Sequence, residues 1–200
     1  MAEAVPGAVS RVVSVVTSTA AATEALGRRL AGVLRAGDLL VLSGDLGAGK
    51  TTLTRGLGAG LGIRGPVTSP TFVIAREHPS TSGGPALLHV DAYRLGGVAE
   101  LEDLDLQTSL DSAVTVVEWG EGLAERLAAN RLEVRLRRPQ GGADVGEVGD
   151  GPEQRFVQIR GVGERWRGVD LDAVMQPPEH ATDAGPDVAI DPRRECPNEQ

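Results

Sequence analysis

The sequence predicts a single α/β domain: a mostly parallel central sheet flanked by helices, with a hairpin towards the C-terminal end. Three observations lead there. Short apolar runs of the kind found in buried strands recur at Leu39–Leu42, Leu87–Val90 and Val114–Val117. Gly44-Asp45-Leu46-Gly47-Ala48-Gly49-Lys50-Thr51 fits the G-x-x-x-x-G-K-[ST] pattern at every fixed position, between the first apolar run and a helix-compatible stretch. Two later segments, Leu132–Leu136 and Arg155–Ile159, alternate apolar and polar residues as hairpin strands do.

The elements follow in order. Val9–Val16 is β-branched and reads as a strand. Thr17, Ser18 and Thr19 offer N-cap hydroxyls to a helix over Ala20–Leu34, where Leu26, Leu30, Val33 and Leu34 recur at helical spacing. Gly37-Asp38 turns the chain into the Leu39–Leu42 strand, and a helix over Thr51–Leu61 follows the Gly-rich loop. Gly62 to Pro66 breaks that helix, and Val67–Ile74 is extended, since Pro70 is unsuited to a helix interior. Ser80–Pro85 is a polar turn before the strand Leu87–Val90, which ends at Asp91. Gly97–Leu110 is acidic and holds a short helix; Val114–Val117 is a buried-type strand ending at Glu118; Leu123–Ala129 is helical.

Length and composition suit one core. The chain has 200 residues, 40% hydrophobic and 24% charged, and with only 2% aromatic residues that core must be built from Leu, Val and Ala. A formal charge of -8 argues against a surface devoted to gripping nucleic acid. The lone Cys196 excludes an intrachain disulfide and fits a reducing cytoplasm. No signal peptide and no membrane-spanning run of ~18–20 apolar residues is expected. The expected organisation is a loose N-terminus over 1–8, the domain over 9–176 with a mobile Gly/Asp-rich insert at about 139–152, and a disordered tail over 177–200. That tail holds five of the 12 prolines and six acids against two bases, too little apolar surface to offset ordering.

The loop carries the chemistry. Its glycines let backbone N–H groups turn inward onto phosphate oxygens, and the following helix adds its positive N-terminus. Asp45, Leu46, Gly47, Ala48, Gly49, Lys50, Thr51 and Thr52 are therefore the expected nucleotide-binding residues, with Lys50 supplying charge to the β/γ-phosphates and the Thr51 hydroxyl facing Mg²⁺. Asp91 and Glu118 each end a strand, and ligands of open parallel sheets bind outside the carboxyl ends of strands. If both strands flank the loop's strand, both carboxylates face the γ-phosphate and metal; alternatively each caps a strand end at the surface. Thr68, Ser69 and Thr71 follow the loop's helix, where a hydroxyl can meet phosphate, metal or water, unless Pro70 merely shapes a turn. Trp119 either packs on this site or on a partner, or fills a core gap. His78 and His89 show no metal-ligand spacing and read as ordinary residues.

An ATPase fits these features. A small-molecule phosphotransferase is the alternative, but it usually needs an Arg-bearing lid, and the insert Gln140–Gly151 has no Arg. The Asn-Lys-x-Asp guanine signature is absent, which leaves adenine as the expected base.

Four segments together carry a family resemblance. Gly44 to Thr52, Ser69-Pro70-Thr71-Phe72, His89-Val90-Asp91-Ala92-Tyr93-Arg94-Leu95 and Val117-Glu118-Trp119 resemble, in this order and spacing, the bacterial TsaE (YjeE) ATPases over roughly residues 9 to 165. The resemblance implies a P-loop NTPase fold, ATP and Mg²⁺ as cofactors, and Thr51 and Glu118 as metal ligands. It implies Asp91 as the group that orders water or polarises the site, and a switch-like Ser69–Thr71 loop, so Lys50, Asp91 and Thr71 are the expected catalytic residues. It also implies slow ATP hydrolysis coupled to a complex of TsaD and TsaB, which makes N6-threonylcarbamoyladenosine at position 37 of tRNA. The tRNA would be met only through that complex, in the cytoplasm and away from membranes. The Gly/Asp insert and the acidic tail lie outside the family pattern.

Overall fold

The computed structural model describes residues 12–70, 74–104, 106–139 and 154–176. The expected N-terminal segment over 1–8, nearly all of the insert and the tail fall outside these residues, as does Thr71. A seven-stranded sheet runs through the described chain in the order β1-β7-β6-β2-β5-β4-β3. Its strands are β1 (Val12–Thr17), β2 (Leu39–Ser43), β3 (Ala75–His78), β4 (Ala86–Asp91), β5 (Ala113–Glu118), β6 (Arg131–Arg137) and β7 (Arg155–Val162). The four inner strands β6, β2, β5 and β4 run parallel, and the antiparallel pairs β1–β7, β6–β7 and β3–β4 form the two flanks. This is the expected α/β fold, with β6 and β7 as its C-terminal hairpin.

Burial explains the order. β2 and β5 are buried at every residue, as strands covered on both faces must be, which is why their sequences are continuous apolar runs. β6 buries only Leu132, Val134 and Leu136, so it alternates. Helix α1 (Ala20–Ala31) begins at Thr19, whose side chain accepts a 3.0 Å hydrogen bond from Ala22 N–H. Its Leu26 and Leu30 pack into one core with Leu53, Leu57 and Leu61 of helix α2 (Lys50–Leu61), against Leu40 and Leu42 of β2. Each such buried leucine contributes about 2 kcal/mol from area removed from water. The opposite sheet face is covered at β2, β4 and β5 by a second core containing Leu101, Leu106 and Ala124.

Three expectations change. The strand of Asp91, β4, does not flank β2; β5 lies between them, and the second neighbour of β2 is β6. Gly97–Leu110 holds two short helices, α3 (Val98–Glu102) and α4 (Gln107–Leu110). Leu123–Ala129 forms only a 3₁₀ turn at Ala124–Arg126. The chain closes with a last helix, α5 (Leu171–Met175), whose Asp170 side chain accepts from the N–H groups of Asp172 and Ala173. No described helix is long and apolar enough to cross a membrane.

Candidate functional site

The phosphate loop joins the end of β2 to the start of α2. Gly49, at φ 105°, stands in the left-handed region that favours glycine, and no side chain caps α2 there. The N–H groups of the first helical turn are thus left for an anion. Lys50 is only 5% exposed, yet its Nζ makes no carboxylate contact among the described residues. It donates to the carbonyls of Gly44 at 2.6 Å and Asp45 at 3.0 Å, and lies 3.6 Å from the centre of the Trp119 ring. Burial pushes the Lys50 ammonium below the ordinary lysine range, against the opposing charges of Glu118, Asp91 and Asp45. A phosphate at the loop would relieve that burial cost by pairing with the cation.

Asp91 and Glu118 meet in spite of the intervening geometry. Parallel β4 and β5 pair them directly in register, so both carboxylates emerge side by side on the face towards α2. Glu118 Oε2 accepts from the Thr51 hydroxyl at 3.1 Å. Asp91 Oδ2 accepts from the Ser69 hydroxyl at 3.1 Å, and its Oδ1 from Tyr93 N–H at 3.0 Å. A cleft of 410 Å³ gathers Leu46 to Thr52 with Ser69, Asp91, Tyr93, Glu118 and Trp119. Every expected nucleotide-binding residue except Asp45 lines it, and Asp45 lines an adjoining cleft that shares Trp119. Thr68 is exposed and lines neither cleft.

Magnesium fits these donors. Thr51 Oγ1 and Glu118 Oε2 converge within 3.1 Å, both hard oxygens, with Asp91 in the adjacent register position. Among the described residues no trio of His, Cys, Asp or Glu could hold a metal by itself. Mg²⁺ asks for less, since it takes one or two protein oxygens and completes its shell with water and substrate phosphates.

His89 is the residue that sequence reasoning missed. It is fully buried, two positions before Asp91 on the same strand face, and its Nε2 lies 2.8 Å from Glu118 Oε1. A carboxylate oxygen accepts, so Nε2 carries the proton. The signal was the period of two, since a strand that presents Asp91 to the site presents His89 to the same side. Trp119 does both things: it stacks on Lys50 and lies 5.0 Å from the Tyr93 ring, and it also packs against the second core. It also holds a φ of 61°, as does Ile74 at 65°, the two non-glycine residues in this region among those described.

The model of the family "Threonylcarbamoyl adenosine biosynthesis protein TsaE" matches residues 17–144. Among curated proteins, the tRNA threonylcarbamoyladenosine biosynthesis protein TsaE of Streptomyces coelicolor is 61% identical over 150 residues, 74% of this chain and 97% of that one. Its namesake in Bacillus subtilis is 37% identical over 145 residues, 72% of this chain and 82% of that one. The crystal structure of Bacillus subtilis YdiB superposes with a TM-score of 0.59 at 31% identity, covering 80% of this chain and 91% of that one.

Proposed function

This chain belongs to the TsaE family of threonylcarbamoyl adenosine biosynthesis proteins, and from that premise we propose that it is a Mg²⁺-dependent ATPase serving the tRNA modification for which its relatives are named. The observation that carries the reading is the convergence of Lys50, Thr51, Glu118 and Asp91 on one phosphate loop. ATP lays its phosphates along the loop from Leu46 to Thr52, against the uncapped first-turn N–H groups of α2. Lys50 leaves its two carbonyl acceptors for the β/γ-phosphates, where a point charge stabilises the triphosphate and the charge that builds up as the γ-phosphoryl group departs.

Thr51 and Glu118 would hold Mg²⁺, which supplies charge neutralisation and aligns the phosphate oxygens. Asp91 sits beside Glu118 and ties itself to Ser69 of the segment after α2, a position suited to orienting the attacking water. The reading extends to TsaD and TsaB as partners: the chain hydrolyses ATP slowly and couples that turnover to their complex, while the transfer to tRNA occurs on the partners. An acidic chain of net charge -8 suits a protein that leaves tRNA binding to others.

The test is phosphate release from ATP with no acceptor present, with and without Mg²⁺, alongside a thermal melt. Wild-type protein should release phosphate in a Mg²⁺-dependent manner, whereas a kinase would be nearly silent without its acceptor. Lys50→Ala should melt near the wild-type temperature and lose turnover by about a hundredfold or more, the scale of removing one group aimed at developing charge. A folded Lys50→Ala protein with near-normal turnover would overturn the reading.

A further inference from the structure

We propose that Arg138 is a further catalytic residue, an arginine supplied in cis that reaches over the phosphate loop from the side opposite Glu118. The inference rests on the ATPase reading and deepens it. On β6, Leu132, Val134 and Leu136 form a buried row on the helix side of the sheet. Arg138 is the next residue of that row, one step beyond the strand end, so the same period of two that buries the leucines carries the guanidinium to the loop before α2.

The contact is close. A β-carbon built on Gly47 would lie 3.1 Å from Arg138 Nη2 and 3.3 Å from its Cζ. Any larger residue at position 47 would push the guanidinium off the loop. β7 repeats the pattern: its buried Val157 and Ile159 lead back to Arg155, whose Nε would be 3.7 Å from a β-carbon on Gly49. The two roots of the β6–β7 connection thus each bring an arginine to a loop glycine. Although the insert itself has no Arg, the residues that anchor it do.

Among the described residues Arg138 has no acid of its own. Glu121, on the same corner, pairs with Arg135, and Arg138 makes no hydrogen bond or ion pair among the described residues. An exposed guanidinium held against the middle of a phosphate loop, with no partner among the described residues, presents a fork of donors suited to a polyanion. β6 neighbours β2 on the side away from β5, so Arg138 approaches the triphosphate across from Thr51, Glu118 and Asp91.

In the step it serves, a water oxygen forms a bond to the γ-phosphorus. The bond from that phosphorus to the β–γ bridging oxygen breaks, its electron pair stays on ADP, and the water's extra proton leaves to solvent. Negative charge grows on the bridging and β-phosphate oxygens, and Arg138 neutralises it there.

The experiment compares wild type, Arg138→Ala and Arg138→Lys in ATP turnover, in ADP affinity and in affinity for ADP with aluminium fluoride, a mimic of the phosphoryl group in transit. Because Arg138 is exposed, all three should melt alike. Arg138→Ala should lower kcat at least tenfold with ADP affinity changed less than about threefold, and should lose the wild type's preference for the aluminium fluoride complex; cis and trans arginines of this kind are worth ~10³–10⁵ in kcat. Arg138→Lys should recover little, since lysine lacks the planar fork. Turnover and fluoride-complex affinity within twofold of wild type in Arg138→Ala would overturn the proposal while leaving the ATPase reading intact. Wild-type protein that neither turns over ATP nor binds the fluoride complex would overturn both.

Discussion

Glu118 divides its two carboxylate oxygens between partners on either side. Oε1 takes the His89 proton at 2.8 Å, and Oε2 takes the Thr51 hydroxyl at 3.1 Å. The His89 bond fixes which oxygen is turned to the nucleotide, in a carboxylate that is only 2% exposed and has little else to hold it. If Glu118 holds Mg²⁺ as proposed, His89 is a positioning residue for it, the kind of outer partner whose loss typically weakens metal binding by about 10–100-fold. His89→Ala should raise the Mg²⁺ concentration for half-maximal turnover by about tenfold or more, and His89→Gln, which can place an amide N–H near the same point, should recover part of it. A purely structural histidine would lower the melting temperature in both variants with the Mg²⁺ dependence unmoved. Lys50, Thr51, Asp91 and Glu118 were legible in the sequence because each occupies a fixed place in a pattern: a loop motif, or an acid ending an apolar run. His89 was not, since a histidine inside Leu87–Val90 looks the same whether it packs in a core or braces a carboxylate. Arg138 was not either, because its contact depends on β6 lying next to β2, which no local pattern states.

At the scale of elements, the site depends on how closely α2 is drawn onto α1. A β-carbon on Gly56 would sit 2.0 Å from Glu24 O, and one on Gly27 would sit 2.3 Å from Leu53 O, both backbone atoms that cannot swing aside. The two helices touch through their main chains, so α2 has one depth at which its N-terminus can meet the end of β2. Gly56→Ala should force the helices apart and cost about 1–3 kcal/mol, lowering the melting temperature by several degrees. Because α2 carries Lys50 and Thr51 at its first turn, nucleotide affinity should fall as well; a variant with unchanged melting and binding would refute this account of the packing. The strands themselves were readable from composition: β2, β4 and β5 as apolar runs, β6 and β7 as alternating ones. Their order was not: sequence could only make the meeting of Asp91 and Glu118 conditional on both strands flanking β2, whereas β4 lies beyond β5 and Asp91 reaches the site across it. The predicted helix at Leu123–Ala129 is a 3₁₀ turn whose Leu123, Ala124, Leu127 and Ala128 still pack against the second core, so the spacing of apolar residues marked the packed face and not the helix type.

At the scale of the whole molecule, hydrolysis matters only if ATP and ADP leave the protein in different states. A nucleotide can shift such an equilibrium only by its differential affinity for the two states. On the proposed reading the contacts that distinguish them are those at the γ-phosphate, with Lys50 central among these. The Lys50 ammonium lies against the Trp119 ring, which in turn lies against Tyr93, itself 63% exposed. Drawing Lys50 onto a γ-phosphate removes the cation from that ring. Trp119 also carries a left-handed backbone of φ 61°, costly for a residue with a β-carbon and of the kind retained where neighbouring contacts over-determine it. Its N–H bonds to Leu42 O at 2.9 Å, so the strain is anchored to the strand that leads into the loop. On the proposed reading, nucleotide state would be linked through Lys50 and Trp119 to an aromatic surface that a partner can meet. Trp119→Ala should keep ATP affinity within about threefold, since the phosphate contacts come from the loop, and yet fail to support tRNA modification. The measurement is complementation of a strain lacking this protein, with threonylcarbamoyladenosine quantified by mass spectrometry of digested tRNA. Wild type should restore the nucleoside, and Lys50→Ala and Trp119→Ala should not. If Trp119→Ala restores it fully, the ring is only packing, and the route from nucleotide to partner must run through Asp91 and the Ser69 segment instead.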